Sequence, residues 1–313
     1  MPDAAIPLAE ITAARERIAP LLRRTPVIAA QPARHPAIAA PLMLKLECLQ
    51  VTGSFKPRGA LSRATAGAGE RRGLVTASGG NHGLGVAYAA HCLKLPAVVY
   101  LPESAPADKA VKLRSWGAEV RIHGSVWDES NVAALAAAES EGLSYIHAFA
   151  DPLVLAGQGT LGLEILEDAP DIDTLVVAIG GGGLIAGVAS AARALRPDLR
   201  IVGVEPVGAP THHASRAAGH LVTLDRIETA AGTLAPRRSE PLNFAIIEAL
   251  VDDIVLVSDE EMRAASRWLW AEFGLGTELS GAAALAALTT CRAQGSRPLA
   301  VVCGAGRDGL DES

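Results

Sequence analysis

A lysine set between a phenylalanine and a proline is an unusual amine. Lys56 stands in the run Thr52-Gly53-Ser54-Phe55-Lys56-Pro57-Arg58-Gly59-Ala60. Lysine is ordinarily a hydrated surface charge. Held among apolar and rigid neighbours, the amine is partly desolvated, which lowers its pKa and favours a nucleophilic free base. A second group is Ser78-Gly79-Gly80-Asn81-His82-Gly83, between an expected strand and an expected helix. Backbone amides and short polar side chains at a helix N-terminus suit a carboxylate. The third is Gly180-Gly181-Gly182-Gly183, followed by Leu184. Glycines let backbone N–H groups approach an anion closely, and the next helix adds a positive dipole end. That design cradles a phosphate.

The glycine run leaves alternatives open on its own. It is no Walker loop, because no Gly-Lys-Ser/Thr follows. It matches the dinucleotide fingerprint poorly, yet Glu205 falls near the place where that motif has its acid. A nicotinamide-dependent oxidoreductase therefore stays a rival, as does a tight turn without a ligand. Standing alone, His82 reads as a helix-start histidine. Cys303, like Cys48, Cys92 and Cys291, reads as a free cysteine that is buried more often than not.

These groups need elements to position them. Short apolar runs alternate with alanine-rich helical patterns after an N-terminal helix around Leu8 to Leu22. The expected strands are Leu42-Leu46, Gly73-Ala77, Ala97-Leu101, Glu119-Ile122, Thr174-Ile179, Arg200-Val204, Ile254-Val257 and Leu299-Val302. Helices are expected over Asn81-Leu93, Pro106-Trp116, Ser125-Glu141, Leu153-Glu167 and Asp259-Glu272. Such alternation implies βαβ units and parallel sheets. Ser104 with Pro106, and Ser258-Asp259-Glu260-Glu261, mark helix entries, and Gly117, Gly124 and Gly142 mark turns. No linker or repeat is evident, so a second domain must be interleaved.

Composition narrows the class. The 313 residues are half apolar and a fifth charged, which fits a globular chain large enough for two cores. The net charge is −6, and Arg71-Arg72 and Arg237-Arg238 are isolated pairs, so no nucleic-acid footprint is present. Thr174 to Ala192 is uncharged, but its four glycines favour a strand, a turn and a helix start over a membrane span. The four cysteines form no CxxC pair, and the first residues do not read as a signal peptide. A cytoplasmic protein is expected.

Taken together and in order, SFKPRGA, SGGNHG, GGGGLIAG, VEP and VCGAGRD resemble the motifs of fold-type II pyridoxal-phosphate enzymes. The likeness is to the tryptophan synthase beta-like group, and within it to the serine/threonine dehydratases, with serine racemase nearby. It runs from about Arg24 to Asp308. The resemblance implies an α/β fold of two interleaved domains, each a mostly parallel twisted sheet flanked by helices. Residues 1–68 and 149–313 would form the larger, cofactor-binding domain, and residues 69–148 the smaller. It implies pyridoxal 5'-phosphate as cofactor. Lys56 matches the Schiff-base lysine, Phe55 the residue beneath the cofactor ring and Asn81 the partner of its 3-oxygen. Gly180 to Gly183 with Leu184 match the phosphate loop, and Cys303 the residue facing the ring nitrogen. Ser78, Gly79, Asn81 and His82 match the loop for the substrate carboxylate. Relatives are commonly dimers or tetramers, so a homo-oligomer, a dimer, is expected.

The expected activity is elimination of water from L-threonine or L-serine, giving a 2-oxo acid and ammonia. A neutral thiol at Cys303 would activate the ring nitrogen weakly, with Lys56 the base for the Cα proton. Gly79 occupies the place of the racemase's second base, which argues against racemisation. Glu205 matches an acid of the relatives' divalent-metal site and Ala209 its carbonyl, but Thr211 stands where a second acid would be. No metal is therefore expected. A substrate-side acid of relatives is missing from Thr229 to Arg238, so Arg237 and Arg238 are either solvated charges or partners for a second carboxylate. A lyase for 3-hydroxyaspartate or another β-substituted amino acid, a β-replacement synthase and a non-catalytic relative remain as rivals.

Overall fold

The computed structural model describes residues 4–66, 72–105 and 107–310. Among these, ten strands occur: β1 (Val27–Ala29), β2 (Met43–Lys45), β3 (Leu74–Ala77), β4 (Ala97–Leu101), β5 (Glu119–Ile122), β6 (Ser144–Tyr145), β7 (Thr174–Ala178), β8 (Arg200–Pro206), β9 (Asp253–Val257) and β10 (Pro298–Val301). They form two sheets, one ordered β1-β2-β10-β7-β8-β9 and one ordered β5-β4-β3-β6. Every pairing is parallel except β1 with β2. Central strands such as β7 and β3 are buried at every position, as continuous apolar runs in a helix-covered parallel sheet should be.

The helices are α1 (Leu8–Ile18), α2 (Lys56–Thr65), α3 (Asn81–Leu93), α4 (Ala107–Ser115), α5 (Trp127–Glu141), α6 (Pro152–Asp168), α7 (Gly183–Leu195), α8 (Thr211–Ala218), α9 (Pro241–Leu250), α10 (Asp259–Phe273) and α11 (Leu279–Thr289). The expected alternation of strand and helix is what the chain adopts. The Thr174 to Ala192 stretch divides into β7, the glycine turn and most of α7, and no helix among the described residues is long and apolar enough to cross a membrane. Ser258 and Glu261 complete a capping box on α10. The Ser104 hydroxyl donates to the Ser125 carbonyl at 3.0 Å. Pro106 lies outside the described residues.

All four strands of the smaller sheet fall between Leu74 and Tyr145, and the chain on either side supplies the larger one. The boundary expected near residues 68 and 69 lies outside the described residues. The cores are less cleanly divided than the sheets. Ala60, Leu61 and Ala64 of α2, Ile18 of α1 and Val154 of α6 join the apolar cluster of Leu74, Val99 and Leu101. α2 packs on α3 from one sheet and on α6 from the other. Its first residue, Lys56, therefore stands at the junction.

Candidate active site

The sequence-predicted groups gather beyond the C-terminal ends of parallel strands, where ligands of open α/β sheets bind. Ser78 to His82 follow β3, His147 to Phe149 follow β6, Gly180 to Gly183 follow β7, and Cys303 follows β10.

Pro57 sits in the first turn of α2, where its missing N–H costs no helical bond. Glycines let both neighbouring helices close on this turn. A Cβ on Gly157 of α6 would lie 2.4 Å from the Arg58 carbonyl oxygen, and one on Gly85 of α3 would lie 3.0 Å from the Lys56 carbonyl carbon. The Lys56 Nζ donates to the Ala148 carbonyl at 2.8 Å and lies 5.2 Å from the Phe55 ring centroid. Burial lowers the amine's pKa to about 8, against the opposing pull of Cys303 and Glu278. The Phe55 N–H donates to the Cys303 carbonyl at 3.3 Å, tying the lysine segment to the end of β10.

Beneath this turn lies a charged network. Arg58 is 1% exposed and its guanidinium donates to both Glu47 oxygens and both Glu164 oxygens, each at 2.8 Å. Lys45, fully buried, donates to Glu164 at 2.8 Å and to the Thr25 carbonyl at 2.7 Å. Two cations are thus matched by carboxylates in the interior, anchoring the segment two residues after Lys56.

Asn81 opens α3, and its Nδ2 donates to Glu278 Oε1 at 2.9 Å. Glu278 was not singled out by any motif. It precedes α11, and burial, followed by the charge of Asp308, pushes its carboxyl up to about 7. Thr233 reaches the same Oε1 at 3.3 Å and also contacts the Ser280 hydroxyl. The Cys303 thiol donates to the Ser280 carbonyl at 3.4 Å, and burial raises its pKa, so the sulfur stays protonated.

The remaining loop residues differ in what they can offer. Ser78 Oγ accepts from the Gly80 N–H at 3.4 Å, and a Cβ on Gly80 would meet nothing within 4 Å. Gly79 backs onto Leu101 and Lys109. The His82 ring is buried against the Ile146 carbonyl, 3.0 Å away, and is kept neutral with its pKa lowered to about 3. Its available contribution is a backbone amide at the N-terminus of α3.

The glycine turn is shaped by close approach. Cβ atoms on Gly181 and Gly183 would fall 2.4 Å from the Phe149 ring and 2.6 Å from the Phe149 carbonyl oxygen, and Gly182 has φ +88°. Asn243 Nδ2 donates to the carbonyls of Phe149 (2.8 Å) and Gly181 (2.7 Å), and Ser239 adds a bond to Gly181 at 3.0 Å. With that carbonyl turned inward, the trans peptide directs the Gly182 N–H to the opposite side. Leu184 packs its side chain into the core, leaving its backbone amide in the first turn of α7. His147 Nδ1 accepts from the Phe149 and Ala150 amides, which holds the Ala148 carbonyl toward Lys56. Asn243, Ser239, His147 and Phe149 went unnoticed in the sequence because each is a single residue with no local pattern.

Arg237 and Arg238 are exposed, and they bond the Leu224 carbonyl and the Thr223 hydroxyl. Glu205 is fully buried, with its two oxygens accepting the His212 and His213 amides at 2.8 Å each.

A free amine, a glycine cradle at a helix N-terminus, a carboxamide and a neutral thiol form a donor set that fits a phosphorylated pyridine aldehyde. Fold and site together define an α/β enzyme of the lysine-and-phosphate-loop class. The comparison with known sequences is specific: the chain belongs to the pyridoxal-phosphate dependent enzyme family, which matches residues 18–304. It is 42% identical over 289 residues to the L-threonine ammonia-lyase of Geobacter sulfurreducens, covering 92% of this chain and 72% of that protein. Among solved structures it is similar to maize serine racemase, with a TM-score of 0.91, 34% identity and coverage of 96% and 94% of the two chains. The processed form of threonine deaminase isoform 2 from Solanum lycopersicum gives a TM-score of 0.90 at 32% identity, covering 98% of this chain and 93% of that one.

Proposed function

We propose that the chain is an L-threonine/L-serine ammonia-lyase that releases a 2-oxo acid and ammonia. The observation that carries this reading is a buried amine at Lys56 set against a loop with glycine at positions 79 and 80. Lys56 presents a desolvated amine, whereas the loop at Gly79 and Gly80 offers no side chain to act as a second base. Relatives named L-threonine ammonia-lyase and threonine deaminase support the substrate class.

Pyridoxal phosphate supplies an electron sink for charge developing at the substrate's Cα. The protein's part divides among its residues. Backbone amides of Gly180 to Leu184 would hold its phosphate, Phe55 would pack against its ring, and Asn81 would donate to its 3-oxygen. Cys303 would be the partner of the ring nitrogen, and as a neutral thiol it would not hold that nitrogen protonated as a carboxylate would. Charge at Cα would then be sustained less well, which would favour loss of the β-hydroxyl together with the Cα proton. Ser78, Gly79, Asn81 and His82 orient the substrate carboxylate, and the Lys56 amine takes the proton. Residues 1–68 with 149–313 form the cofactor-binding lobe and residues 69–148 the smaller lobe. The enzyme is cytoplasmic and dimeric in this reading.

The test is a substrate panel of L-threonine, L-serine, 3-hydroxyaspartate and O-acetylserine, with 2-oxo acid, ammonia and D-serine measured. Threonine and serine should give equal amounts of 2-oxo acid and ammonia. D-serine formed as fast as pyruvate, or turnover of 3-hydroxyaspartate alone, would overturn the assignment. Borohydride treatment of the loaded enzyme should fix the cofactor on Lys56.

A further inference from the structure

We propose that Glu278 is a positioning residue whose ionised carboxylate fixes the Asn81 carboxamide and links it to the Cys303 side of the site. The inference rests on the reading of Lys56 as the cofactor lysine and deepens it.

Asn81 and Cys303 follow strands of different sheets, β3 and β10, yet one chain of contacts joins them. Asn81 Nδ2 meets Glu278 Oε1 at 2.9 Å, Thr233 Oγ1 meets the same oxygen at 3.3 Å, and Thr233 touches the Ser280 hydroxyl. The Ser280 carbonyl accepts from the Cys303 thiol at 3.4 Å. Glu278 itself is braced over the backbone after Cys303. A Cβ on Gly304 would lie 2.2 Å from Glu278 Oε1, and the Glu278 N–H donates to the Gly304 carbonyl at 3.3 Å.

An ionised carboxylate is acceptor-only. It therefore admits one orientation of the Asn81 amide, with Nδ2 toward Glu278 and its second N–H left for a ligand oxygen. It also orients the Thr233 hydroxyl, whose single proton goes to the charged oxygen. A protonated Glu278 has an O–H to donate, which lets Asn81 turn its carbonyl inward and withdraw that N–H. The carboxyl is poised for such a change. Burial and Asp308 raise its pKa, Asn81, Thr233 and Lys56 lower it, and the balance lies at about 7. Cys303 faces it as a neutral thiol. Ionisation above about pH 7 is the state that fixes Asn81.

The experiment records the visible absorbance of the pyridoxal-phosphate-loaded enzyme against pH, with borohydride peptide mapping on Lys56. The parent is expected to show a spectral step centred near pH 7. Glu278→Gln should still load Lys56 but lose the step. Thr233→Val removes a hydrogen bond to the ionised form, so its step should move up by about one pH unit. A Glu278→Gln enzyme that keeps the parent's step overturns the inference. Should that variant fail to fold, Thr233→Val decides: a displaced step supports the link and an unmoved one overturns it. A parent that takes up no cofactor on Lys56 overturns the reading of the site itself, and this inference with it.

Discussion

The Arg58 guanidinium meets the Glu164 carboxylate through two parallel hydrogen bonds of 2.8 Å each, two residues along α2 from Lys56. The same guanidinium holds Glu47 through two more. All three groups are buried, so losing the cation leaves Glu47 without its cationic partner and Glu164 with Lys45 alone. Arg58→Leu is expected to cost about 3–5 kcal/mol of folding stability. Arg58→Lys should recover less than half of that, because an ammonium cannot span two carboxylates bidentately. Urea unfolding of the two variants measures both; a loss under about 1 kcal/mol for Arg58→Leu would refute the anchoring role.

Lys56 should trade stability for reactivity. Its pKa is lowered in the folded chain from 10.5 to about 8, so the unfolded chain binds more protons between those values. The amine's contribution to stability is thus full above the unfolded pKa and falls as pH drops to about 8. Below pH 8 the folded protein carries a desolvated charge. Lys56→Met is accordingly expected to raise the Tm of the cofactor-free protein at neutral pH while abolishing cofactor capture. Differential scanning fluorimetry across pH, run beside borohydride labelling, checks both halves. In the parent, the capture rate should fall about tenfold per pH unit below 8 and level off above it.

What was legible in the sequence was local. SFKPRG, SGGNHG and GGGG are contiguous, and each combines residue types whose chemistry is uncommon in a plain loop or helix. The parallel α/β class was legible because β7 and β4 are unbroken apolar runs between helix-length segments. Glu278 and Asn243 were not, because each joins the site alone from a distant part of the chain, and Thr233 was legible only as part of the Thr229 to Arg238 segment. The network of Arg58, Glu47, Glu164 and Lys45 was hidden by the ordinary expectation that charges face water. β1 and β6 are three and two residues long, too short for any pattern, and α11 is apolar nearly all round, which erases a helical period.

Gly181 and Phe149 form a tight pair that can be tested by a cycle. A Cβ on Gly181 would enter the Phe149 ring, with contacts of 2.4–2.6 Å, and a rigid ring does not yield cheaply. Gly181→Ala should cost about 1–3 kcal/mol by overpacking and raise the Kd for pyridoxal phosphate at least about tenfold. Phe149→Ala opens the space, so the double variant should be less destabilised than the sum of the singles, by about 1 kcal/mol or more. Additive effects in thermal unfolding would show that the clash is relieved elsewhere.

Glu205 bears on metal dependence, because its oxygens are already engaged. Both accept helix-start amides, from His212 and His213 at 2.8 Å, and burial pushes the carboxyl up to about 8. A hard cation needs several oxygen ligands, among them at least one or two carboxylates free to coordinate it. Here Thr211 brings a hydroxyl that donates to the Pro236 carbonyl at 2.6 Å, and no group of three metal-binding side chains occurs among the described residues. The amides at the start of α8 give Glu205 the partners that a cation would otherwise supply. EDTA should therefore change kcat/KM for L-threonine less than about twofold, and added Mg²⁺ should not raise Tm. Glu205→Ala, by contrast, strands the buried His212 N–H and should cost about 1–3 kcal/mol for it, with less for the part-buried His213 N–H. Loss of activity in EDTA with recovery in Mg²⁺ would mean that a cation displaces those amides, and the cap would then be a feature of the metal-free chain alone.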